Sequence, residues 1–242
     1  MTDTFDLASA LNEWPYEPGK LDARHLRMPD GRMVLQLRVD LGLLQMECVG
    51  RPDGRRIEGH DSLLALCHSR LRSPGSSPNL DEVTCHGLLE ESLQVLRRAL
   101  TLQSLHLHEL ALADADSVLQ RLDLCVQFAP GLPSTVELEA RRGQLITLRT
   151  RSAVQSSVDT GDTSAARASL DAGLDALRRC INPEAFDTHP DVQVLRAMSA
   201  MLVPQLPSSQ REELHARLRT AIAQENFELA AILRDELRQL AD

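Results

Sequence analysis

Cys67-His68 and Cys85-His86 are the residue types in this chain that most directly suggest chemistry. Two Cys-His dipeptides supply four ligands, the number a tetrahedral zinc ion takes. Neighbouring residues project in different directions, however, and neither dipeptide has finger spacing, so zinc is disfavoured. His106 and His108 stand two apart. On one helix they would face different ways, a poor metal pair expected at the surface or in a groove. No Ser-His-Asp arrangement, Gly-x-Ser-x-Gly elbow, glycine-rich phosphate loop or carboxylate motif stands out. Asp114 and Asp116 read as an interhelical turn. The expectation is a non-enzymatic protein with no cofactor and no metal site. The distant alternative is an enzyme whose site lies in a cleft between sheet and helices.

Charge narrows the partners. The chain carries a net charge of -9 with a pI of about 5.4, which argues against a general polyanion binder. Between Lys20 and Arg72, ten basic residues meet seven acidic ones, a local net of +3 against -12 for the remainder. Arg38, Arg51, Arg55 and Arg56 in that stretch form a candidate second surface for nucleic acid or an acidic partner. No aromatic platform accompanies them. An ordinary solvated sheet face, with Gln36, Arg38, Gln45 and Glu47 on one side, is the favoured reading, and nucleic acid is not expected as a direct ligand. The five cysteines are odd in number and widely spaced, the start MTDTFDLASALNEW has neither a basic nor an apolar leader region, and no run of eighteen apolar residues exists. A cytoplasmic protein with free thiols and no membrane span is expected.

The elements that must position these residues follow from periodicity. Aromatics are scarce at 2%, so the core is expected to be built from Leu, Val and Ala, which favours helices. Met33, Leu35, Leu37 and Val39 alternate with Val34, Gln36 and Arg38, and Leu44, Met46 and Cys48 alternate with Gln45 and Glu47. Period two predicts an antiparallel meander over about Arg24–Met28, Met33–Val39 and Leu43–Val49. Two Pro-Asp-Gly-Arg turns, at Pro29–Arg32 and Pro52–Arg55, bracket it. A helix is predicted from His60 to Leu71, capped by Asp61 or the residue before it. The Ser73–Asn79 stretch, SPGSSPN, reads as a linker.

Helical spacing then takes over at Leu89, Leu93, Leu96 and Leu100, and again at Leu119, Leu122 and Val126. Pro130-Gly131-Leu132-Pro133 breaks it. Helices are expected over Ser134 to Val158 and Ser164 to Cys180, with a turn at Thr160–Thr163 and close approach through Ala165, Ala166 and Ala168. Asn182 to His189 reads as a loop and Asp191 to Leu202 as a short helix. No tetratricopeptide-type period recurs, so this is an irregular bundle. After the proline-bearing Pro204–Gln210 stretch, Ser209 and Glu212 have capping-box form. A first helix carries Leu214, Leu218, Ala221 and Ile222. A second begins at Phe227 and carries Ala230, Ala231, Leu233, Leu237 and Leu240. The fold class expected is mainly α (α+β): a meander domain at 1–72, a helical bundle at 79–203 and an antiparallel helical hairpin at 208–242.

The stretch ELHARLRTAIAQENFELAAILRDELRQL, Glu213 to Leu240, resembles the UvrB/UvrC motif. The resemblance rests on a leucine-spaced first helix, then Glu-Asn-Phe-Glu, Ala-Ala and Leu-Arg-Asp in order. It implies an antiparallel helical hairpin that makes protein–protein contacts, often with another such hairpin. In that family the hairpin joins UvrB to UvrC in nucleotide excision repair, and occurs in Clp-type unfoldases and in activators of protein arginine kinase. Those activators carry paired Cys-x-x-Cys zinc sites. This chain has no Cys-x-x-Cys, and no helicase or nuclease signature. The Arg38–Gly54 stretch is also similar to one in uncharacterised bacterial proteins that end in this motif.

The physical reading of the residues agrees with the resemblance. A hairpin of this length cannot bury all its apolar side chains by itself. Leu214, Leu218, Ile222, Phe227, Ala230, Ala231, Arg234, Asp235 and Leu237 are the expected partner-binding residues. The function expected is an adaptor or scaffold. Its alternatives are an accessory factor of nucleotide excision repair docking on UvrB or UvrC, and an adaptor of a Clp-type unfoldase or protease. A homodimer is allowed by analogy with the family.

Overall fold

The computed structural model describes residues 11–72, 80–202, 208–223, 229 and 231–234. The Ser73–Asn79 linker lies outside the described residues. The protein is mainly helical, with one small antiparallel sheet near its N-terminus. Strands β1 (Ala23–Arg27), β2 (Met33–Val39) and β3 (Gly42–Glu47) pair in sequence order. Leu35 stands opposite Met46, and Leu26 opposite Val34. Both Pro-Asp-Gly-Arg turns work the same way. Asp30 accepts the Arg32 backbone N–H at 3.0 Å, and Asp53 accepts that of Arg55 at 3.0 Å. Gly31 and Gly54 take φ of +87° and +71°, conformations open to glycine.

One sheet face is core. Leu35 and Met46 are buried with Leu102 and Ala111 from two helices, so sheet and bundle share apolar packing. The other face is covered in part by the segment before β1. There the Trp14 indole donates to Asp22 at 2.8 Å, and Arg24 stacks over the Trp14 ring at 3.9 Å.

Helix α1 (Leu63–Leu71) starts later than the sequence predicts. Ser62 is its cap, accepting the Ala65 N–H at 3.0 Å, while Asp61 instead pairs with Arg56. Helix α2 (Glu82–Ser104) is capped by Asp81. Helix α3 (His108–Phe128) runs back alongside it. The reversal lies at Leu105–Leu107, not at Asp114–Asp116, which sit in the middle of α3. The Leu107 N–H donates to the Leu102 carbonyl at 2.9 Å, and His106, at φ +58°, donates to Gln103 at 3.2 Å. This is a helix-terminating Schellman arrangement with histidine in the left-handed position that glycine usually fills.

The helix expected over Ser134 to Val158 is two helices, α4 (Pro133–Glu139) and α5 (Arg142–Asp159), separated at Ala140–Arg141. Helix α6 (Thr163–Cys180) follows after Gly161, at φ +77°. The region expected as a loop contains a single helical turn, α7 (Pro183–Phe186), before α8 (Pro190–Leu202). Ala166 is buried, but Ala168 is exposed. Helices α5 and α6 approach closely at Gly173, where an added Cβ would lie 2.9 Å from the Thr150 Cβ. Helix α9 (Ser208–Ala223) lies beyond Pro204.

Two sets of buried charges tie the helices together. Glu91 on α2 and Arg121 on α3 pair at 2.5 Å, and Arg98 and Asp114 pair bidentately at 2.8 and 2.6 Å. Each helix carries an acid followed seven residues later by an arginine, in the same order along the chain, so antiparallel packing matches both pairs at once. Arg98 also donates to the carbonyls of Glu47 at 2.9 Å and Gly50 at 2.8 Å, clamping the end of β3 to the bundle.

Candidate functional site

The terminal hairpin is built on a stripe. Leu214, Leu218 and Ala221 recur at helical spacing on one side of α9. Ala221 and Leu233 are buried together, with Leu214 and Leu218 packed against them. Leu233 belongs to a helical segment at 231–234, which thus folds back on α9. This small core is distinct from the clusters that join the sheet and bundle helices.

That packing leaves apolar side chains outside. Ile222 is 53% and Ile232 59% exposed, with Leu229 also exposed. Ala231 and Arg234 are exposed as well. Of the residues expected to bind a partner, the structure thus places Leu214 and Leu218 in the hairpin's own core and Ile222 on its surface. Phe227, Ala230, Asp235, Leu237 and Leu240 lie outside the described residues, as do the side chains of Ser209 and Glu212. Leu229 and Ile232 were not among the expected residues. Ile232 follows Leu229 by three positions, a helical spacing that marks both as one apolar side of the second helix.

Of the arginines expected to form a second surface, Arg51, Arg55 and Arg56 line one cleft of about 420 Å³ with Glu47, Asp53 and Asp61, and Arg38 lies apart from it. Arg38 is only 8% exposed. Its guanidinium donates to the carbonyls of Trp14 at 2.8 Å and Gly42 at 2.7 Å, and to that of Val39. It fastens the β2–β3 turn to the segment before the sheet. Arg51 forks onto Asp53 and reaches the fully buried Glu91 at 2.7 Å. The hydrogen bonds from Arg51 hold the Asp53 carboxyl below its usual range. Both are corrections to the surface reading: backbone carbonyls and a buried carboxylate consume these cations. Arg55 and Arg56 are exposed, and Arg56 pairs with Asp61 at 3.0 Å.

The cysteines and histidines are arranged differently from their sequence neighbours. Cys67, Cys85 and Cys125 meet in one buried apolar cluster between α1, α2 and α3. Burial pushes the Cys125 thiol up to about 12, so it stays protonated and a poor ligand or nucleophile. His86 faces the exposed Glu90 at 3.5 Å. No group of three or more ionisable ligand side chains among the described residues is placed to hold a metal ion. His106 and His108 flank the reversal between helices, with ring centroids 5.6 Å apart. His108 is buried, where a place at the surface or in a groove was expected, and burial lowers its pKa.

A cleft of about 710 Å³ opens beside α5, lined in part by Arg142, Cys180, His189 and Asp191. Its polar groups are largely committed to the fold. Arg142 is held by Glu139 and Asp123, both at 2.8 Å. The His189 Nδ1 accepts the Asp191 N–H at 3.2 Å, and burial raises the Cys180 thiol.

No helix among the described residues is long and apolar enough to cross a membrane. No curated protein and no solved structure matches the chain. One family does: residues 208–242, the hairpin region that closes on Ala221 and Leu233, match the UvrB/uvrC motif.

Proposed function

We propose that this protein is a non-enzymatic adaptor that binds a partner protein through its C-terminal hairpin. One observation carries the reading. A segment matching the UvrB/uvrC motif forms its own small core yet leaves Ile222, Leu229 and Ile232 in solvent. Among the described residues of the hairpin, Ala221 and Leu233 are the buried apolar pair, and a partner covering the exposed side chains would remove further apolar surface from water and stabilise the hairpin. The body supports an adaptor in a second way. Its buried ion pairs hold α2 against α3 and burial keeps the Cys125 thiol protonated, so these groups serve packing and pairing rather than catalysis.

Two refinements concern the partner. One is a nucleotide excision repair protein of the UvrB or UvrC kind. The other is a Clp-type unfoldase or protease. Capture from lysate with the intact chain and with a chain ending at Gln205 tests the proposal. A partner retained by the intact chain alone supports it, and that partner's identity separates repair from proteolysis. The same proteins retained by both chains would overturn it.

A further inference from the structure

The sheet has two outer edges, and they differ. The ladder alternates so that the backbone groups of Met33, Leu35, Leu37 and Val39 face β3, in line with the Cys48 N–H reaching the Met33 carbonyl. On β3, therefore, Leu43, Gln45 and Glu47 turn their N–H and C=O groups away from β2. Glu47 is already satisfied. Its N–H donates to the Pro52 carbonyl at 2.9 Å, and its own carbonyl accepts from Arg98. Leu43 and Gln45 have no backbone partner on that side among the described residues.

Edge strands are usually blunted by charge or covered. The β1 edge follows that rule, with Arg24, His25 and Arg27 in its five residues and Lys20 just before it. The β3 edge does not. Gly42-Leu43-Leu44-Gln45 carries no charge, and Leu41 beside it is 93% exposed. Next to this edge lies a cavity of about 230 Å³ between β3, Pro52 and helix α2. Gln94 and Arg97 line it from α2. The Gln94 Oε1 is buried without a hydrogen-bond partner, and the exposed Arg97 guanidinium has no ion pair among the described residues.

We propose that the free edge of β3 over Leu43–Gln45 is a strand-addition site for a short extended segment of a partner protein carrying an acidic residue. An added strand hydrogen-bonds to Leu43 and Gln45. Its residue opposite Leu44 projects to the helix side of the sheet, over the cavity, where a carboxylate meets Arg97. Pro52 closes one end of the window. The remaining length is shorter than the five to six residues or so that join typical strands, which suits a peptide better than a second copy of the sheet. This site is independent of the hairpin.

The full-length chain is titrated with fluorescein-labelled Thr-Thr-Val-Glu-Val-Thr-Thr and with its Glu→Lys counterpart, followed by anisotropy. The glutamate peptide binds, and the lysine peptide binds at least about fivefold more weakly. Arg97→Glu, a surface change, reverses that preference. Gln45→Pro removes the outward N–H together with the exposed 3.0 Å bond from the Gln36 side chain and abolishes binding of both with unchanged circular dichroism, whereas Gln45→Ala, which loses the side-chain bond alone, keeps binding. No binding by either peptide up to roughly millimolar concentration would overturn the proposal. So would binding untouched by Gln45→Pro, or a preference untouched by Arg97→Glu. A dimer in sedimentation that Gln45→Pro dissolves would also overturn it, because a second copy would then own the edge.

Discussion

The body and the terminal hairpin solve the same problem, holding antiparallel helices together, with different means. In the body, α2 and α3 are registered by Glu91–Arg121 and Arg98–Asp114 and packed by a long run of leucines. In the hairpin, Ala221 and Leu233 are the buried pair among the described residues, and two isoleucines remain outside. Buried ion pairs add specificity of register more than stability, because desolvation offsets their attraction. An apolar patch left open adds nothing to the isolated chain and much to a complex. The helix pair of the body is held by its own charges and leucines, and the hairpin shows exposed apolar side chains beside its buried pair.

The sharpest way to break this contrast is to strip one charge from the body. Glu91→Ala strands Arg121 and Arg51 near a dry site and is expected to cost about 3–5 kcal/mol in chemical unfolding. Truncating the exposed Ile222 instead is expected to change unfolding by no more than about 0.5 kcal/mol. Equal effects would dissolve the distinction between the two regions. Next in size is Gly173→Ala. The added Cβ collides with Thr150, so a loss of about 1–3 kcal/mol is expected, relieved in part by Thr150→Ala.

A pH effect should also belong to the body. Burial holds the His108 imidazole neutral, 3.9 Å from Asp159, with its pKa below the unfolded value of about 6.5. Below that pH the unfolded chain takes up the proton more readily. The stability from neutral His108 is therefore full above about pH 6.5 and declines as pH falls from there through the lowered folded value. His108→Gln should flatten this slope in denaturant titrations between pH 7 and 5 or so. The smallest effect expected is His106→Gly, which removes a left-handed non-glycine residue and should stabilise by up to about 1 kcal/mol.

That last position shows why the fold was only partly legible. The α5–α6 reversal uses Gly161 in the left-handed position and is readable from Thr160-Gly161-Asp162. The α2–α3 reversal has the same hydrogen-bond pattern, with His106 there instead. Nothing local marks it, and the polar Asp114 and Asp116 drew the boundary to the wrong place. The strands were readable because period two and the Pro-Asp-Gly turns agree. Arg38 and Arg51 were misplaced because a charged residue on an alternating strand or turn defaults to solvent. Only the folded chain brings them carbonyls and Glu91. In the hairpin, apolar spacing found the helices but could not separate Leu218, which faces inward, from Ile232, which faces out.

The most direct test pairs capture with melting for the double variant Ile222→Glu, Ile232→Glu in the full-length chain. The account predicts that partner capture is lost while the body's unfolding transition is unchanged, since neither side chain is buried. Capture retained by a normally folded double variant would contradict it and remove the hairpin surface as the docking element.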